Sequence, residues 1–180
     1  MNLLLIRHTE PHLRDGVCYG QTDLPLKVHD YLIKRKQILK QITQLSVDWD
    51  ILYSSPLTRC IQLAHYLQRK IHLPLVLNDS LKEFNYGIWE GKPYKEIEQE
   101  FTHWANNYIH QPTPQGESFN QFYSRVKDFY QAHISLNQNI IIITHLGVIR
   151  AFYLIYHKMP IEEFFRFKIN YGELLLFKIY

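Results

Sequence analysis

Cysteine, methionine, tryptophan and glycine are all scarce in this 180-residue chain, at 2, 2, 3 and 7 residues. The two cysteines, Cys18 and Cys60, form no Cys-x-x-Cys pair and no Cys/His spacing of the zinc-binding kind. They leave a single disulfide open, but with no secretory segment in view reduced thiols are expected. Their place beside candidate site segments leaves sensitivity to oxidation an open question. Neither sign of charge dominates: 20 Lys and Arg stand against 17 Asp and Glu, a net +3. The longest basic cluster, Lys34-Arg35-Lys36, lies in a helical stretch and reads as a solvated face, so no nucleic-acid partner is expected. Long apolar runs are lacking too. Met1 to Ile6 is apolar, but Arg7 and His8 follow at once, far short of the roughly 20 residues of a membrane span. No repeat, low-complexity tract or linker appears. The reading is a single cytoplasmic domain over residues 1–180, with no membrane partner and an oligomeric state that the sequence does not reveal.

What is present is an alternation of short strands and helices. Residues 3–6 read as a strand buried on both faces, residues 31–45 as a helix and residues 51–53 as a second strand. Ser54-Ser55-Pro56 then opens a helix, with Ser55 as its cap and Pro56 in its first turn. Residues 75–77 suggest a third strand. Residues 78–115 are irregular, with one or two helices inside. A helix follows over 119–133. Ile140-Ile141-Ile142-Ile143 is an all-β-branched strand, and residues 147–156 form the helix after it. Residues 165–169 alternate and, through Asn170-Tyr171-Gly172, predict an antiparallel edge hairpin with 174–179. The whole predicts an α/β fold with a doubly wound, mainly parallel sheet, helices on both faces and an antiparallel edge strand at the C-terminus.

Ligands of such folds sit beyond the carboxyl ends of the strands. Three candidate strands end in Arg7-His8-Thr9-Glu10, in Ser54-Ser55-Pro56 with Arg59 following, and in Thr144-His145. Arginine forks suit phosphate oxygens, and neutral histidine can attack phosphorus when its other nitrogen is held. Arg59, in a first helical turn, opposes the helix dipole at a cost of about 0.3–1 kcal/mol, a sign that a bound anion reverses. Taken singly, such a histidine is more often a hydrogen-bonded core or rim residue and such an arginine simply exposed. It is the convergence of two of each that points to a phosphate site. The other histidines form no ligand pattern.

Taken together, the residues resemble the histidine phosphatase superfamily, which includes the cofactor-dependent phosphoglycerate mutases. Leu5-Ile6-Arg7-His8-Thr9-Glu10 is similar to its first motif and Tyr53-Ser54-Ser55-Pro56-Leu57-Thr58-Arg59-Cys60 to its second. Leu81-Lys82-Glu83-Phe84-Asn85-Tyr86-Gly87-Ile88-Trp89-Glu90-Gly91 resembles its acid-bearing loop. Gly116-Glu117-Ser118 resembles the start of its late helix, and Ile143-Thr144-His145-Leu146-Gly147-Val148-Ile149-Arg150 its second-histidine motif. The resemblance implies that His8 is a nucleophile that becomes phosphorylated, with Arg7, Arg59 and His145 around the phosphoryl oxygens. It implies Glu83 as the acid that protonates the leaving oxygen and then serves as base, with Glu90 the runner-up. No metal or cofactor is implied. Thr9 and Leu146 depart from the commoner glycines, though either can still offer a backbone N–H. The mutases carry longer insertions and a C-terminal extension; without them the pocket is open to water, which favours hydrolysis over transfer.

Gly16-Val17-Cys18-Tyr19-Gly20-Gln21-Thr22-Asp23-Leu24-Pro25-Leu26 resembles the loop after the first motif in α-ribazole phosphatases. That resemblance implies a small-molecule phosphate ester, α-ribazole 5′-phosphate of cobalamin nucleotide-loop assembly, with Gln21 and Thr22 beside the phosphate. The alternatives are a broad-specificity phosphatase, a mutase-type phosphotransferase and a non-catalytic phosphate-binding module. The same segment also reads as a plain turn into the first helix. Trp89, Trp104 and Tyr108 fall in the irregular middle segment, which the resemblance places over the pocket and which is expected to set specificity. Most aromatics are core, so no single one is assigned.

Overall fold

The computed structural model describes residues 1–134 and 137–179. Five strands form one sheet in the order β3-β2-β4-β1-β5, where β1 is Asn2–Arg7, β2 Ile51–Ser54, β3 Leu75–Leu77, β4 Ile140–Thr144 and β5 Leu174–Lys178. All neighbours are parallel except β5, which runs antiparallel to β1 at the edge. The α/β reading with an antiparallel C-terminal edge strand holds.

Alternation along the central strands divides the core in two. Leu3, Leu5, Ile140 and Ile142 face one layer, with Phe119, Phe122 and Phe152 of α4 (Phe119–His133) and α5 (Leu146–His157). Leu4, Ile6, Ile141 and Ile143 face the other, against α1 (Val28–Gln44) and α2 (Thr58–Ile71). Because strand side chains alternate with period 2, an all-apolar strand is what a sheet covered on both sides requires. A further helix, α3 (Tyr94–Ala105), lies in the middle segment. Ser118 opens α4 with a reciprocal cap to Gln121, of the kind that contributes about 1 kcal/mol. No helix among the described residues is long and apolar enough to cross a membrane.

Two local expectations change. Ser55 does not cap α2. The free N–H and hydroxyl of Thr58 instead donate to Asp23, at 2.7 and 2.6 Å, from the loop after β1. A carboxylate at a helix N-terminus meets both its unpaired donors and its dipole. The C-terminal hairpin is also absent: residues 165–169 form no strand, and β5 pairs with β1 directly. Side chains take the carbonyls that a hairpin would have paired, with Arg150 donating to Phe167 O at 2.9 Å and Arg7 to Ile169 O at 2.6 Å. Phe164 meanwhile buries among Tyr108, Phe119 and Phe122.

Candidate active site

Parallel register brings the strand ends to one level. Arg7 pairs with Thr144 and Ser54 with Ile143. The residues that follow stay in step, His8 N–H donating to Thr144 O and Ser55 N–H to Ile143 O, both at 3.0 Å. His8 and His145 therefore stand ring to ring at 5.0 Å, and Arg59 on the first turn of α2 reaches His145.

His8 is buried, and its Nδ1 lies 2.7 Å from Thr9 O. A carbonyl can only accept, so Nδ1 carries the proton and the lone pair sits on Nε2. Burial, followed by the Arg59 charge and with a smaller push from Arg7, holds the His8 pKa well below its ordinary value of 6.5. The imidazole is thus neutral at neutral pH, aimed by its own backbone.

The arginines carry the charge. Neither Arg7 nor Arg59 has an acidic partner among the described residues. Arg59 is fully buried and donates to Thr22 O at 2.8 Å, to Gly20 O and to His145. Arg7 leaves a buried Nε without a partner. Two aromatic faces partly compensate, Tyr171 at 3.8 Å from the Arg7 guanidinium carbon and Tyr19 at 5.4 Å from that of Arg59. Such contacts contribute about 0.5–2 kcal/mol. The two tyrosine hydroxyls are hydrogen-bonded to each other across the site. Sequence reasoning missed both tyrosines, because nothing in the spacing of Tyr19 and Tyr171 joins the loop after β1 to the turn before β5.

Glu83 is brought in from the segment after β3. Its oxygens accept the N–H of Phe84 at 2.9 Å and of Gly147 at 3.1 Å, which sets the carboxyl on the N-terminal turn of α5. A Cβ on Gly147 would sit 2.2 Å from Glu83 Oε1, so glycine at 147 permits this approach. Arg125 of α4 secures the segment from behind, donating to Ser80 O, Lys82 O and Glu83 O and pairing with Glu117 at 2.7 Å. Arg125 was also missed, although the Glu117 it holds lay in a quoted motif.

A cleft of about 330 Å³ opens here, lined by Arg7, His8, Glu83 and Leu146 from the candidate set, with Tyr19, Tyr86, Tyr94 and Tyr171 among its walls. Four other candidates stand outside its lining. Arg59 lies under Tyr19. His145 uses both ring nitrogens within the protein, Nδ1 accepting from Arg59 at 3.3 Å and Nε2 donating to Ser55 Oγ at 2.8 Å. Gln21 donates from its side chain to Glu83 O, and the Thr22 hydroxyl donates to Glu90. The expected aromatics also move. Trp89, Trp104 and Tyr108 are buried in the core, their polar tips bonded to Glu100, Gln111 O and Ile161 O. They do not overlie the cleft. Thr9 packs fully buried with its hydroxyl unpartnered among the described residues. Cys18 and Cys60 are separate and buried, and burial pushes both thiols up to about 12.

Comparison with known proteins bears on the family and the fold. An adenosylcobalamin/alpha-ribazole phosphatase of Escherichia coli is 28% identical over 179 residues, covering 96% of this chain and 87% of that one. A putative phosphoserine phosphatase 2 of Hydrogenobacter thermophilus is 29% identical over 159 residues, covering 83% and 75%. The crystal structure of the alpha-ribazole phosphatase from Shigella flexneri superposes with a TM-score of 0.86 at 28% identity, covering 100% of this chain and 91% of that one. The profile of the histidine phosphatase superfamily (branch 1) matches residues 3–180, and the chain belongs to that superfamily, with phosphatase as its supported class of activity.

Proposed function

We propose that this chain hydrolyses phosphate monoesters through a phosphohistidine on His8, with α-ribazole 5′-phosphate as substrate. One observation carries the chemistry: a neutral histidine with Nδ1 tied to a carbonyl lies between two arginines that lack any acidic partner among the described residues. A buried cation without an acidic partner, as Arg59 is, is costly, and a phosphoryl group is the anion whose geometry the two forks match.

In this reading the Nε2 lone pair of His8 attacks phosphorus. The P–N bond forms as the ester P–O bond breaks, and Glu83 gives a proton to the departing oxygen. Arg7 and Arg59 hold the phosphoryl oxygens as charge shifts. Water then attacks phosphorus, Glu83 takes its proton, and the P–N electron pair returns to Nε2 with release of phosphate. Arg59 spends three of its five N–H groups within the protein and keeps two for the ester, whereas both nitrogens of His145 are engaged, so His145 acts on Arg59.

The ribazole assignment is supported by the likeness to phosphatases of that name and by the tyrosine faces in the cleft, which suit a planar aromatic base. Broad small-molecule activity is the second reading, favoured by exposed Arg14 and Asp15 at the rim, which offer both signs of charge. Phosphate release is measured from α-ribazole 5′-phosphate, O-phosphoserine and a generic aryl phosphate, with His8→Ala as control. A strong preference for the ribazole ester supports the assignment. Equal rates on all three replace it with broad specificity, and no release from any contradicts the hydrolase reading.

A further inference from the structure

Glu90 lies in the loop after the Gly87–Trp89 turn and does not line the cleft. Its carboxylate nevertheless accepts four hydrogen bonds. Oε1 takes the N–H of Gln21 at 2.9 Å and of Tyr86 at 3.0 Å, while Oε2 takes the Thr22 N–H at 2.6 Å and the Thr22 hydroxyl. It has no cationic partner among the described residues. Three of the four donors belong to two consecutive residues, and the carbonyls on either side, Gly20 O and Thr22 O, are the ones that receive the Arg59 guanidinium. The approach is close: a Cβ on Gly20 would sit 2.6 Å from Glu90 Oε1 and 2.0 Å from Phe84 O.

We infer that Glu90 is the positioning residue for Arg59. Its carboxylate holds the N–H groups of Gln21 and Thr22, which turns the Gly20 and Thr22 carbonyls toward α2 and sets the plane of the buried guanidinium. Arg59 needs such a device because it has no acidic partner of its own and its Nε is already committed to His145. A charged fork misplaced by a fraction of an ångström loses much of its bidentate geometry toward a tetrahedral anion. This assigns Glu90 a role distinct from that of Glu83. Glu83 faces the cleft, whereas Glu90 acts through the backbone and never meets the ester. The inference rests on the phosphate-site reading above.

Replacing Glu90 leaves the two loops joined, because Cys18 N–H donates to Lys92 O and Gly91 N–H to Cys18 O at 2.9 and 2.8 Å. Glu90→Gln, Arg59→Lys and the double variant of the full chain are compared by calorimetric binding of inorganic phosphate, by KM and kcat on an aryl phosphate, and by Tm. Glu90→Gln is expected to weaken phosphate binding by about tenfold, with kcat falling alongside the rise in KM. In the Arg59→Lys background the same substitution is expected to change affinity by less than about twofold, because the residue through which it acts is gone. An undiminished effect in that background overturns the inference. So does a fall in Tm with affinity unchanged, which marks a structural role alone. Phosphate binding without hydrolysis by the unmodified chain defeats the hydrolase reading, while the affinities still decide the role of Glu90. Failure to bind phosphate overturns both.

Discussion

Arg59 donates its Nε–H to Nδ1 of His145 at 3.3 Å, and that single bond fixes which His145 nitrogen carries the proton. Nδ1 accepts, so Nε2 is protonated and donates to Ser55 Oγ at 2.8 Å. Burial, then the charge of Arg59, keeps the His145 pKa well below 6.5, which agrees with a neutral ring. The chain Ser55–His145–Arg59 links the end of β2, the end of β4 and the first turn of α2.

Ser55→Ala cuts this chain at its far end. It leaves the buried Nε2–H only the Cys60 sulfur, a weak acceptor at 3.5 Å, a loss of about 1–3 kcal/mol. A lower Tm and a drop in kcat/KM are expected, with the His8 nucleophile intact. Calorimetry and steady-state rates check this; a variant indistinguishable from the parent on both counts would show that the chain orders nothing.

The two depressed histidines make stability depend on pH. Above the ordinary value of 6.5 both folded and unfolded chains hold neutral imidazoles and no penalty arises. As pH falls below 6.5 the unfolded chain takes up protons that the folded chain refuses, so stability declines toward the lowered folded values. Thermal melts between pH 8 and 5, taken on the parent, His8→Gln and His145→Gln, should show a fall below about 6.5 that each substitution flattens. Parallel curves would contradict the burial argument.

Gly147→Ala tests the seat of Glu83. The new methyl would meet Glu83 Oε1 at 2.2 Å, and the cheapest relief is for the carboxyl to swing away. Turnover of an aryl phosphate is expected to fall by about tenfold or more, with inorganic phosphate affinity nearly kept. An unchanged kcat would remove Glu83 from the acid role.

The sheet and the helices around it were legible because their signals are local. An all-isoleucine run at 140–143 and helical spacing at 119–133 each name an element without outside help. The strand-end rule placed His8, Arg7, Arg59 and His145 at one sheet edge for the same reason. What stayed hidden depends on side chains that answer to distant partners. Asp23 caps α2 from 35 residues away, and that took the capping role from Ser55. Tyr171 meets Tyr19 across 152 residues, and the alternating 165–169 segment gave up its strand to carbonyl contacts with Arg7 and Arg150. Trp104 was expected near the cleft because the corresponding middle segment overlies the pocket in the superfamily that the sequence resembles. Its burial among Phe84, Tyr86, Trp89 and Phe101 is a packing outcome that composition alone does not locate.

The cysteines should be inert in the folded chain. Both are buried and both thiols are pushed up to about 12, so neither offers thiolate at neutral pH. Iodoacetamide is expected to label Cys18 and Cys60 only after denaturation, and mild peroxide to leave phosphate release unchanged. Native-state labelling at either position would restore a redox role.

The most direct test is to trap the intermediate on His8. The parent chain is mixed with a 32P-labelled aryl phosphate, quenched in alkali within milliseconds to preserve P–N bonds, digested and mapped. The account predicts label on the peptide containing His8, lost on mild acid treatment and absent from His8→Ala. Turnover without any protein-bound label, or label on a peptide that lacks His8, would contradict it.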